Sequence, residues 1–252
     1  MNINKIIKYI FISLSIVSCS NSNDDITLIE EPILSSLEAY VENRNIETSA
    51  VIACAASAQE TNDILAYYYI EREGTNVRFY ETENIDANND DFSNYTQINL
   101  QSEPFFNGAL GMFTRSSEIE KWIIITYELN GEIKISNPIR TKQISKPTVY
   151  QQSAIINQEI TKMPKFNWLD NAVGDNAIYF QVISDNQNNL LSGTYTFDSN
   201  FQYYDTSNVV LNITQGIPPE LEINRDYNFT VMDVSEDNWV NLLILNQNFI
   251  VE

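Results

Sequence analysis

The chain has 252 residues, 34 of them acidic against 14 basic and none histidine, for a formal charge of -20. That balance excludes nucleic acid and anionic lipid headgroups as partners, because phosphate recognition needs clustered Lys and Arg. The missing histidine removes the usual Ser and Cys triads and most zinc sites, so no enzyme is expected.

Residues 1–18 open with Lys5 and Lys8, continue as an apolar run from Tyr9 to Val17, and end in a small residue before Cys19. These are the three parts of a cleaved signal peptide. Ser13 and Ser15 interrupt a run only about half as long as a spanning helix needs. The order Ile16, Val17, Ser18, Cys19 resembles the lipobox of bacterial lipoproteins. The resemblance implies cleavage before Cys19, lipid on its thiol, palmitate-type acylation of the new amino terminus, and a chain held at the outer membrane by lipid alone. Two or more acyl chains anchor stably where one does not. Residues 19–25, "CSNSNDD", cannot pack a core and are expected to form a polar tether. The acidic pair Asp24 and Asp25 resembles the tag that sends lipoproteins of some Gram-negative glycan-feeding bacteria to the cell surface. A plain solvated linker is the alternative.

From residue 26 the chain is expected to be all-β. "EEPILSSLEAYVEN" is ambiguous: Ile33, Leu37 and Tyr40 have helical spacing, while Leu37, Ala39 and Val41 alternate, and a first strand is favoured. "SAVIACAAS", "ILAYYYIERE" and "TNVRFYETE" follow as strands separated by polar turns. With Cys19 acylated, Cys54 has no partner in the chain, and its apolar run predicts a buried, inert thiol.

In "NIDANNDDFSNYTQ", Asp86, Asn88 and Asp90 stand at alternate positions, as in the first half of a calcium loop. Asp91 stands where that loop needs glycine and Gln97 where it needs a bidentate glutamate. An EF-hand is therefore excluded, and a looser calcium site on Asp86, Asn88 and Asp90 is the expectation kept; no other cofactor is expected. "EPFFNGALGMF" and "FQYYD" offer aromatic rings suited to stacking on sugars, or equally to a sandwich core. "KWIIITYELNGEIKISNPIRTK" predicts strands at Trp122 to Leu129 and Glu132 to Ile139, joined by Asn130 and Gly131, the pair favoured in type I′ hairpin turns.

A boundary is placed at "TKQISKPTVY", dividing a sandwich over residues 26–142 from a second over residues 146–252. In the second, short strands recur at near-regular spacing: "PKFNWLDN", "NAIYFQVISD", "NLLSGTYTF", "NVVLNIT", "DYNFTVMDV" and "WVNLLILNQNFIV". Leu221 and Tyr227 in "LEINRDYNFTV", Trp168 after Phe166, and "IYFQVIS" resemble fibronectin type III domains of the immunoglobulin-like group. The resemblance implies that Tyr227 forms a tyrosine corner and that Trp168 is core. "PPELEINRD" departs from that family's Leu, Pro, Gly corner. Residues 26–142 are taken as a divergent relative of the same sandwich. Trp239, beside Asp237 and Asn238 in "EDNWVN", suits a sugar site or the core at the start of the last strand.

The expected function is a non-catalytic, lipid-anchored surface protein. It would bind glycan or protein, or serve as accessory subunit of an outer-membrane uptake complex. The alternative is a carboxylate-based hydrolase such as a glycosidase, with two acidic side chains about 5 to 9 Å apart in one cleft.

Overall fold

A computed structural model describes residues 35–169, 175–214 and 216–252. The leader, Cys19 and the tether lie outside the described residues. The first element is a helix, α1 (Leu37–Val41), where a strand was favoured. Ser36 caps it by accepting the Ala39 N–H at 3.1 Å, and Leu37 and Tyr40, three apart, are the pair it buries. The Leu37, Ala39, Val41 alternation misleads because Ala39 is exposed.

The first half contains β1 (Ile46–Ser57), β2 (Ile64–Tyr69), β3 (Thr75–Glu81), β4 (Thr96–Ile98), β5 (Ser102–Phe105), β6 (Leu110–Arg115), β7 (Trp122–Leu129), β8 (Glu132–Ser136) and β9 (Ile139–Arg140). One layer runs β4-β3-β7-β8-β1 and the other β1-β2-β6-β5. β1 serves both. Ser49 takes φ 59 at a register break between Thr48 and Val51. Across the break β1 pairs parallel with β8 as far as Val51, and from Ile52 onward antiparallel with β2. The β7–β8 hairpin turns on Asn130 (φ 52) and Gly131 (φ 80), the two left-handed residues a type I′ turn requires. The strand expected to reach Ile139 instead stops at Ser136. Pro138 has no N–H to offer a ladder, and β9 resumes beyond it against the start of β7, with Ile139 opposite Ile123.

The second half contains β10 (Val149–Gln151), β11 (Ile155–Asn157), β12 (Lys165–Asn167), β13 (Asn176–Asp185), β14 (Leu190–Thr196), β15 (Asn200–Gln202), β16 (Val209–Asn212), β17 (Asp226–Ser235) and β18 (Val240–Ile250). Its layers run β10-β18-β17-β13-β14-β16 and β11-β12-β15. The opening segment again divides, β10 parallel to β18 and β11 antiparallel to β12. Both halves therefore have one strand order, with β5 and β16 as additions at the edges. The described residues are nearly all β, arranged as two immunoglobulin-like sandwiches in tandem. The tyrosine corner is present: the Glu222 N–H donates to Tyr227 Oη at 3.0 Å, and the ring, 3% exposed, joins Leu221 in the core. Asn224 supplies the left-handed residue, φ 62, that glycine would otherwise supply.

Alternation along the strands sorts their side chains into separate cores. Phe166, Trp168, Tyr179, Tyr227 and Phe229 fill the second sandwich, where Phe166 stacks on Phe229 at 4.0 Å. Ala55, Ile64, Tyr68, Phe79, Phe113 and Ile125 fill the first, and Trp239 of the β17–β18 turn joins them at 0% exposure. α1 lies over the outer face of the first layer, where Leu37 and Tyr40 cluster with Ile124 and Ile135. That contact explains the unbroken "WIII" run: Ile123 and Ile125 face inward and Ile124 faces the helix. A fourth cluster joins the halves. Ala56, Tyr67 and Leu110 from the outer face of β1-β2-β6, with Phe106 of the β5–β6 turn, meet Phe180, Val182, Tyr195, Met232 and Leu243 from the outer face of the second sandwich.

Residues 141–148, where the boundary was placed, are not a loose linker. Thr141, Lys142, Gln143 and Thr148 are buried. The Ser57 N–H donates to Thr148 Oγ1 at 2.9 Å and the Thr148 N–H returns to Ser57 Oγ at 2.8 Å. Lys142 pairs with Asp237 at 2.7 Å, and Lys146 with Asp175 at 2.7 Å. Leu34–Glu252 is one compact unit.

Candidate functional site

A cleft of about 210 Å³ opens where the two sandwiches meet. β1 contributes Val51, Ile52, Ala53 and Cys54; β2 contributes Tyr67 and Tyr69; and β6 contributes Leu110. From the second half come Ile178 and Phe180 of β13, Tyr195 of β14, Leu211 of β16, and Met232 and Val234 of β17. Small residues in "VIACAAS" let the two sheets approach, and a strand apolar on both faces is one covered on both faces. Ala55 faces its own core while Ala56 and Cys54 face the neighbour.

The lining carries no Asp, Glu, Lys or Arg side chain. Burial pushes the Cys54 thiol up to about 12, so it is protonated and unreactive near neutral pH, lying 4.0 Å from the Met232 sulfur. Burial likewise pushes the phenols of Tyr67 and Tyr195 above their ordinary value. Tyr67 is 4% and Tyr195 8% exposed. Neither hydroxyl has a hydrogen-bond partner among the described residues. At the rim, Ser49 Oγ donates to Asn137 Oδ1 at 2.6 Å, and Asn238 Nδ2 donates to the Pro138 carbonyl at 3.3 Å.

The residues singled out in sequence lie elsewhere. In the loop from β3 to β4, Asn88 Oδ1 accepts the Asp90 N–H at 3.2 Å and Asn84 Oδ1 accepts the Asp86 N–H at 2.9 Å. The loop is thus closed by its own backbone. Among the described residues no group of three or more Cys, Asp or Glu side chains is placed to hold a metal ion. The aromatic candidates are mostly core. Phe106, Phe201 and Tyr203 are buried, Phe105 packs on Tyr67 at 4.8 Å, and the Tyr203 and Tyr204 hydroxyls donate to the carbonyls of Pro219 and Pro218. Trp239 is fully buried and its Nε1 donates to the Lys146 carbonyl at 2.9 Å.

The most enclosed carboxylate among the ion pairs is Glu81, held bidentately by Arg115 at 2.8 Å and also by Lys121. Burial works to raise its pKa, but the two cations outweigh burial and hold it below the ordinary value. Asp175 is held down against burial in the same sense by Lys146 and Lys142. A general acid needs the opposite shift. Among the described residues no helix is long and apolar enough to cross a membrane. No protein-family model matches the chain, and a search of curated proteins returned no match.

Proposed function

We propose that this chain is a non-catalytic, lipid-anchored protein of the bacterial outer membrane that binds a ligand or partner with its fused sandwiches. One observation carries the reading. The cleft between the halves is mostly apolar and free of charged side chains, and its thiol and phenols are held neutral, which suits recognition and not chemistry. The lipobox residues Ile16 to Cys19 support the anchor, and Asp24 and Asp25 support display on the outer face. A glycan, a protein or an uptake complex remains the class of partner for the whole molecule. The hydrolase alternative gains nothing from Glu81 and Asp175, whose carboxyls are committed to cations.

The anchor is tested by labelling with palmitate: Cys19→Ala should abolish the label and release the chain from the membrane fraction. Recovery of the native lipoprotein from membranes, beside a Leu211→Trp variant that crowds the cleft rim, tests binding. A companion molecule that comes with the native chain and is lost with Leu211→Trp supports the reading. A companion retained by both removes the cleft from it.

A further inference from the structure

We infer that the cleft between the sandwiches takes a single-ring, uncharged molecule bearing one hydrogen-bonding group, a phenol or indole in chemical class. This rests on the binding reading above and adds the ligand. Size sets the first limit. An enclosed apolar cavity on the order of 150 Å³ accepts benzene, so about 210 Å³ is room for one ring with a small substituent.

The lining sets the second limit. Val51, Leu110, Ile178 and Phe180 present hydrocarbon, and the Met232 thioether is a polarisable neighbour for an aromatic ring. With no charged side chain in the lining, a carboxylate or ammonium ion would enter without a counter-charge, which is strongly unfavourable. The third limit comes from Tyr67 and Tyr195. Both side chains line the cleft, neither hydroxyl has a partner within the protein among the described residues, and neither is sealed from solvent, so both are open to a molecule that enters. A phenol that meets only water at an apolar wall keeps its hydrogen-bonding capacity for a ligand, which gains by replacing that water with a group of matching polarity. One polar atom on a bound ring, placed between two phenols from opposite sandwiches, satisfies them and also bridges the halves.

The test uses the full chain carrying Cys19→Ser, so that no acyl chain competes for an apolar cleft. Ligand-observed NMR titrations compare 4-methylphenol, toluene and 4-methylbenzoate. The unsubstituted cleft should bind 4-methylphenol with Kd below about 1 mM and leave 4-methylbenzoate unbound near neutral pH. Tyr67→Phe with Tyr195→Phe keeps both rings and should weaken 4-methylphenol by about tenfold or more, the effect of losing its hydrogen bonds to both phenols, while toluene is unchanged. Leu211→Trp should displace both. Equal affinity of 4-methylphenol for the double phenylalanine variant, or no binding of either neutral probe, overturns the ligand class. If neither probe binds while the native chain still loses its companion on Leu211→Trp, the ligand class alone has failed. A companion that survives Leu211→Trp takes the binding reading down with it.

Discussion

The two sandwiches share a strand order but not a degree of independence. Every buried member of the second core lies between Ala154 and Val251. The first core contains one residue from outside its own half, Trp239, carried in by the β17–β18 turn and anchored by its bond to the Lys146 carbonyl. An isolated Ala55–Trp239 bridge and the Ala55 N–H donating to the Asn238 carbonyl at 3.0 Å hold that turn against β1. Equal topology therefore does not mean equal self-sufficiency. What separates the halves is the ownership of one indole.

The largest effect should come from removing it. Trp239→Ala should cost about 3–5 kcal/mol, the range for deleting a buried aromatic. Hydrogen exchange should rise in β1, β2 and β6 of the first sandwich, although the substitution lies in the second. Trp168→Ala, of similar size, should raise exchange in β12, β13 and β17 first, since that indole packs on Tyr179 and Phe229. Exchange confined to β17 and β18 after Trp239→Ala would break the asymmetry. So would a fragment of residues 35–144 that folds as well alone as residues 145–252.

Acid should reach the first sandwich next. The folded-state pKa of Glu81 is depressed, so its stabilisation is complete above the ordinary value of 4.5 and is lost as pH falls through the lower folded value. Glu81→Gln should cost about 2 kcal/mol at neutral pH, less than for a fully buried pair because Arg115 and Lys121 stay partly solvated. It should also flatten the acid limb of the first sandwich's unfolding, measured by denaturant melts from about pH 7 to about pH 3. An unchanged acid limb would place the pH sensitivity elsewhere.

Tyr227→Phe probes the second half alone. It removes the acceptor of the Glu222 N–H and keeps the ring, so the loss should be about 1–2 kcal/mol. A neutral result in denaturant melts would show the corner bond to be replaceable by water. The smallest effect concerns the long β3–β4 connection, residues 82–95, against the short β13–β14 connection, residues 186–189. Millimolar calcium should raise the melting temperature if Asp86, Asn88 and Asp90 turn their oxygens to one ion, and Asp86→Asn with Asp90→Asn should remove the rise. No rise leaves the loop closed by its Asn84 and Asn88 turns alone.

Much of the local structure was legible because it is local. Asn130 and Gly131 announce their turn because left-handed backbone favours those residues, and Leu221 and Tyr227 announce the corner because ring and loop are five residues apart. The helix α1 was harder. Its five residues are too few for periodicity to separate from alternation, and packing on Ile124 and Ile135 decided it. The break before Ile139 was missed, although Pro138 carries its signal, a proline inside an expected strand.

By itself the sequence determined an all-β chain, the period-two faces of its strands, its hairpin and its corner, and an acidic composition without histidine. Those follow from backbone preference and alternation, which act over a few residues. The runs "VIACAAS" and "ILAYYY" were read as strands, but alternation says that a face is buried and not what buries it. Only the tertiary structure decided that Cys54 and Tyr67 face Met232 and Tyr195 across a cleft, and that Trp239 completes the core of the other sandwich. Those contacts join residues more than a hundred positions apart, where docking two sheets through shared apolar surface sets the partner.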